Sequence, residues 1–145
     1  MPQQVVFGVK ELIAKLKQVK SDVGSGMAQV TIAGAHTMEG IVKRSMNVAH
    51  HGREYRRGGR IHVASAPGET PAIDYGALIN SLHAQNDGDD AVFFTNLEAA
   101  EPLEFGTAHM AARPFMRPAI DEHEDEMQKA MTATAKRVIN EAAKK

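Results

Sequence analysis

Four arginines and three glycines crowd the stretch His50-His-Gly-Arg-Glu-Tyr-Arg-Arg-Gly-Gly-Arg60. Such a composition could cradle a phosphate or a nucleic-acid backbone. The glycine spacing does not match Gly-x-x-x-x-Gly-Lys-Ser/Thr, so it is not a P-loop. The competing use of Arg53, Arg56, Arg57 and Arg60 is docking on an acidic neighbour. Seven histidines raise the question of a metal. His50, His51 and His62 could converge across a hairpin, and His109 and His123 sit near acids. Zinc needs three or four ligands in a set geometry, and no closely spaced His/Cys/carboxylate motif is present; exposed polar histidine is the simpler reading. Glu122-His-Glu-Asp-Glu resembles an acid–base cluster, but it occupies the opening turns of a helix, where acids are favoured electrostatically. Ser65 and Ser81 have no evident base or acid partner for nucleophilic chemistry. The residue types therefore point to contacts, with no catalytic residue, metal or cofactor expected.

The strongest contact candidates lie between Ala99 and Ile120. Arg113 and Arg117 each precede a proline, which disfavours the α region and sets both in extended geometry. A guanidinium fork held this way suits bidentate pairing with a carboxylate, and Glu101 or Glu104 is the expected partner, in the same chain or the next. Gly106 after Phe105 reads as a helix-ending residue in the left-handed conformation. Pro118 fits the first turn of the final helix. Phe105, Phe115 and Met116 are expected to be buried and to pin this connector.

Two blocks carry a family resemblance. Glu104-Phe-Gly-Thr, Met110 and Ala112-Arg-Pro-Phe-Met-Arg-Pro-Ala form the first. Ser65-Ala-Pro-Gly-Glu-Thr-Pro-Ala, followed by Gly76-Ala-Leu-Ile-Asn-Ser, forms the second. In this order they resemble the lambdoid tail-component proteins of long-tailed bacteriophages, the tail-completion, tail-terminator or neck proteins. With a helical N-terminal half, the resemblance covers most of the chain. It implies a structural virion protein without catalytic residues, made in the host cytoplasm and placed at the neck or top of the tail. It further implies a sixfold ring of identical copies. The other partners it implies are the major tail tube protein and a head-completion or connector protein. DNA would pass through the lumen without sequence recognition. The alternative is a nucleic-acid-binding module built on the Arg53–Arg60 loop.

Composition agrees with a single domain spanning residues 1–145. Aromatics are only 5% and Trp is absent, so eight Met and many Ala must fill the interior. Such a core is adaptable and suits a protein completed by its neighbours. There is no Cys, hence no disulfide framework or thiol chemistry. No apolar run approaches the roughly 18–20 residues of a membrane span, and Met1-Pro-Gln-Gln-Val lacks the features of a signal peptide. A formal charge of −1 argues against a dedicated nucleic-acid binder.

The elements that must position these residues read as α+β: two N-terminal helical segments and a long C-terminal helix on a small, mostly antiparallel sheet. Val5–Phe7 reads as extended. Leu12, Ile13, Leu16, Val19 and Val23 share one helical face. Gly24-Ser25-Gly26 predicts a break, since two glycines cost roughly 2 kcal/mol against alanine in a helix. Met27–Val48 resumes the period, and residues 50–71 read as a long loop with strand character at Tyr55, Ile61 and Val63. A short helix spans Tyr75–Leu82, with Asp74 as its cap. A hairpin turns at Gly88 before the strand Ala91-Val-Phe-Phe-Thr-Asn. The last helix runs from about Pro118 to Ala143, with Ile120, Met127, Met131, Thr134, Val138 and Ala142 on its inner stripe.

Overall fold

The computed structural model describes residues 9–144, and their side chains from residue 13; the Val5–Phe7 segment lies outside. The element order is α1 (Val9–Met46), β1 (Glu54–Arg57), β2 (Arg60–Val63), α2 (Ala77–Asn80), β3 (Leu82–Asp87), β4 (Asp90–Thr95), α3 (Ala100–Phe105) and α4 (Arg117–Ala143). The class is α+β. Its strands form two separate antiparallel hairpins, β1–β2 and β3–β4.

The expected break in the N-terminal half does not occur: α1 is one helix of 38 residues, about 57 Å long at 1.5 Å per residue. The reason lies on α4. A Cβ on Gly26 would stand 2.1 Å from Cγ1 of Val138, and one on Gly34 would stand 2.8 Å from Sδ of Met131. These glycines are close-approach points between antiparallel helices, so the packing they permit offsets their helix penalty. Gly24 meets nothing within 4 Å. Gly26→Ala is therefore expected to destabilise by roughly 1–3 kcal/mol through overpacking. Gly24→Ala should stabilise by roughly 0.4–1 kcal/mol through the unfolded chain. Urea melts of the two variants give opposite shifts in midpoint.

The core sits where the C-terminal half of α1 meets β3–β4, α3 and the start of α4. Ile41, Val42, Met46, Leu82 and Phe115 are essentially inaccessible, with Met38, Ala100 and Ala119 completing the cluster. The β3–β4 register pairs Leu82 with Thr95 and Ala84 with Phe93. Strand alternation puts these four on one face, and Leu82 and Phe93 pack into the core. Gly88 turns this hairpin with φ 65°, as the first central position of a type II′ turn requires. The Thr31 hydroxyl of α1 donates to the Asp89 carbonyl at the hairpin tip (3.0 Å).

Val138 and Ala142 of α4 are buried, but Ile120, expected on the same stripe, is 46% exposed. The helical geometry of α4 is interrupted at His123 (φ −124°, ψ 19°), so the stripe does not continue unbroken to its first turn. At the other end, α1 runs on past the end of α4. Its Ile13 and Leu16 are accordingly exposed.

Candidate assembly interface

The connector between α3 and α4 is organised by Glu104. One oxygen of its carboxylate accepts the backbone N–H of Phe115 (2.8 Å) and of Met116 (3.0 Å), and the other accepts that of Arg117 (2.9 Å). These donors open α4, where N–H groups have no partner within the helix. A carboxylate is doubly suited to that position, as an acceptor and as a negative charge at the positive pole. Met116, the residue at the cap position, makes no side-chain cap bond of its own. Pro118 occupies the first turn.

Within the chain, this arrangement corrects the expected Arg113–carboxylate pair. Arg113 donates from Nε to the Ser65 carbonyl (3.1 Å) and from a terminal nitrogen to the Ala111 carbonyl (3.3 Å). Glu104 is occupied by backbone donors instead, and Glu101 stands exposed. Arg117 is the first residue of α4 and not extended; its guanidinium lies over the Phe105 ring, 5.5 Å from the centroid. Phe105 is 63% exposed, against the expected burial, whereas Phe115 is 1% exposed and Met116 packs partly against the core. Gly106 has φ 75° but ψ 179°, so it is not in the left-handed helical conformation. It still has to be glycine: a Cβ would meet the Met110 carbonyl oxygen and the Ala112 nitrogen at 2.9 Å.

The two sequence blocks singled out above are joined in space. Besides the Arg113–Ser65 bond, Gly68 N–H donates to the Ala112 carbonyl (3.0 Å); Arg113 N–H is itself held by the Leu103 carbonyl of α3 (2.7 Å). Glu69 fastens the middle segment. It accepts N–H bonds from Ala66 (2.8 Å) and His51 (3.1 Å), and lies 2.7 Å from His51 Nδ1. The Ala66 N–H, then the two His51 groups, hold its pKa down to about 2 from 4.5. A depressed carboxylate pKa stabilises the fold above the unfolded value and loses that contribution as pH falls through the folded one. Glu69→Gln should therefore lower the melting temperature at pH 7. Its gap from the parent should narrow below pH 4.5 and close near pH 2.

The basic stretch is an ordered hairpin, not the long loop expected over residues 50–71. Gly58 and Gly59 both take positive φ (54° and 81°), as a type I′ turn demands. Asp74, expected to cap α2, faces this hairpin instead: Arg57 bonds it at 2.8 Å, Arg60 lies 3.4 Å away and His62 3.8 Å. Gly76 takes the cap position of α2, which is only Ala77–Asn80. Arg60 also lies over the Tyr75 ring, and Arg53 over Tyr55. Two of the four arginines are thus neutralised within the chain, which weakens the phosphate-cradle reading. Of the histidines, His50 and His51 turn to Glu69 and His62 to Asp74. No group of three or more potential ligands that could hold a metal ion occurs among the described residues.

A groove of about 610 Å³ opens between the β4–α3 connection and the start of α4. Phe105 and Ile120 line it as exposed apolar surface, and Glu98, Glu101 and Asp121 add carboxylates. Glu104 and Asp74 are the residues sequence reasoning misassigned, and Glu69 the one it missed. Glu104 and Asp74 have no partner at a fixed sequence spacing that would have revealed them, whereas Glu69 accepts the Ala66 N–H three residues back, the spacing of a capping box. No helix among the described residues is long and apolar enough to cross a membrane. The chain matches no protein-family model, no curated protein and no solved structure.

Proposed function

We propose that this chain is a structural bacteriophage virion protein, a tail-completion, terminator or neck subunit. In this reading identical copies form a ring, sixfold by the resemblance, that joins the tail tube to the head connector. Its partners are its own copies, the major tail tube protein and a head-completion protein. DNA passes through the lumen without sequence readout. The observation that carries the reading is the union of the two resembling blocks into one hydrogen-bonded unit, with Arg113 donating to Ser65 across 48 positions of sequence. The exposed Phe105 and the acidic groove beside that unit suit a subunit whose surface is completed by neighbours.

Deleting the gene from a phage genome that carries it, followed by electron microscopy of lysates, tests this. Separate filled heads and free tails are expected, with joining restored by adding the purified protein. Normal joined particles from the deletion would overturn the proposal.

A further inference from the structure

We propose that the end of α1 that runs past α4 in one copy packs on the opening turns of α4 in the next copy. The inference rests on the reading of the chain as a self-associating subunit and names the contact. The two surfaces lie at opposite ends of the α1–α4 pair, since Gly26 approaches Val138 at one end and Arg44 bonds Glu126 at the other. Lys17 and Arg44 stand about 40 Å apart along a straight helix, so the two surfaces of one chain cannot meet. The overhang has the shape of a helix-receiving face. Helical spacing puts Leu16 in line with Gly34, and Val19 nearly in line with Gly26. Those glycines are where α4 comes closest. Beyond the end of α4 the same face is bare, with Ile13, Leu16 and Val19 exposed.

Charge names the occupant. From residue 13 to residue 21, α1 carries Lys15, Lys17 and Lys20 and no acid. Lys144 closes α4 beside them, with Lys136 and Arg137 further in, and Asp22 and Glu141 are the acids at this end. Cations therefore prevail, and none of the six enters an ion pair among the described residues. The acidic β3–β4 tip is tied to Thr31. That point lies about 16 Å along α1 from Lys20, beyond the Debye length of about 8 Å at physiological salt. The other end has the opposite balance. Asp121, Glu122, Glu124 and Asp125 are exposed and enter no ion pair among the described residues. Glu126 and Arg44 neutralise each other. Glu98 and Glu101 adjoin Asp121, and Arg117 and Lys129 are the cations beside this group. Ile120, 46% exposed in the same turns, gives the aliphatic stripe an apolar partner. Two overhangs brought together oppose lysines, and two α4 openings oppose carboxylates. Only unlike ends attract, and a contact between unlike surfaces builds a ring when its rotation closes. A phosphate backbone would take the lysines and leave the aliphatic stripe bare, which favours a protein face.

The chain has no cysteine, so introduced thiols report without background. Leu16→Cys and Ile120→Cys are made in separate proteins, mixed, and treated with a short bis-maleimide. A cross-linked heterodimer is expected, and the double variant should give a ladder of oligomers, in solution or in particles. Charge reversal supplies a second arm. Lys17→Glu with Lys20→Glu beside the first cysteine, or Glu124→Lys with Asp125→Lys beside the second, should each lower cross-linking roughly tenfold or more. Mixing the two reversed proteins should restore it. All four side chains are exposed, so thermal melts should match the parent; if a reversed protein does not fold, the cysteine pair alone decides. Undiminished cross-linking in both folded reversed proteins would overturn the contact, as would a link of Leu16→Cys to itself in place of Ile120→Cys. So would a duplex-DNA gel shift that the lysine reversal abolishes while no 16–120 link forms. Rings in particles without the link would overturn this contact and leave the ring reading standing. The link with its charge rescue in solution, together with normal particles from the gene deletion, would uphold the contact and overturn the virion reading.

Discussion

Phe115→Ala is expected to destabilise the protein by roughly 3–5 kcal/mol, the usual cost of deleting a core phenylalanine. Among the described residues Phe115 is the largest fully buried side chain, and it belongs to a cluster built from α1, β3, α3 and α4. Its loss opens a cavity where four elements meet, in a core with few aromatic side chains to close over it. Native domains are stable by only about 5–15 kcal/mol, so the variant should melt far below the parent or fail to fold. Phe105→Ala is the control. Its ring is exposed, so a shift near zero in the same thermal melt is expected. Similar losses for both would contradict the assignment of the core.

Glu104→Ala is expected to destabilise the start of α4. It removes the only side-chain acceptor of the Phe115, Met116 and Arg117 N–H groups among the described residues. Loss of a helix cap costs about 2 kcal/mol at the upper end of the measured range. The upper end applies because one carboxylate serves three donors. Glu104→Gln keeps an acceptor oxygen and loses the charge, so it should fall between parent and alanine. Amide exchange should localise the effect to the first turns of α4, with the α1 amides near Ile41 and Val42 much less affected. Unchanged protection at residues 115–120 in the alanine variant would sink the capping role.

Where the determinants of structure are local, the sequence is readable. The β3–β4 hairpin follows from Asp87-Gly-Asp-Asp beside a β-branched and aromatic run, and α4 from its stripe and the acids of its opening turns. Burial of Phe115 followed from its place in a proline-bounded connector. The continuity of α1 was not legible, because it depends on Val138 and Met131, residues of the last helix, meeting Gly26 and Gly34. A local propensity sum counts the penalty of those glycines and cannot see the contact that offsets it. The carboxylates failed for a different reason. Reading residue types pairs arginine with glutamate, whereas Glu104 is held by backbone N–H groups that every residue possesses. Arg57 and Arg60 likewise find Asp74, a residue whose position before a short helix suggested a cap. The exposure of Phe105 is a matter of position: at the end of α3 its ring lines the groove under the Arg117 guanidinium and does not reach the core.

The central claim is that this chain forms the ring between tail and head. It is tested most directly by a cryo-EM reconstruction of the head–tail junction in particles that contain it. The account predicts a closed ring of identical copies at the neck or top of the tail. A junction that contains no copy of the chain, or a single copy, would contradict it.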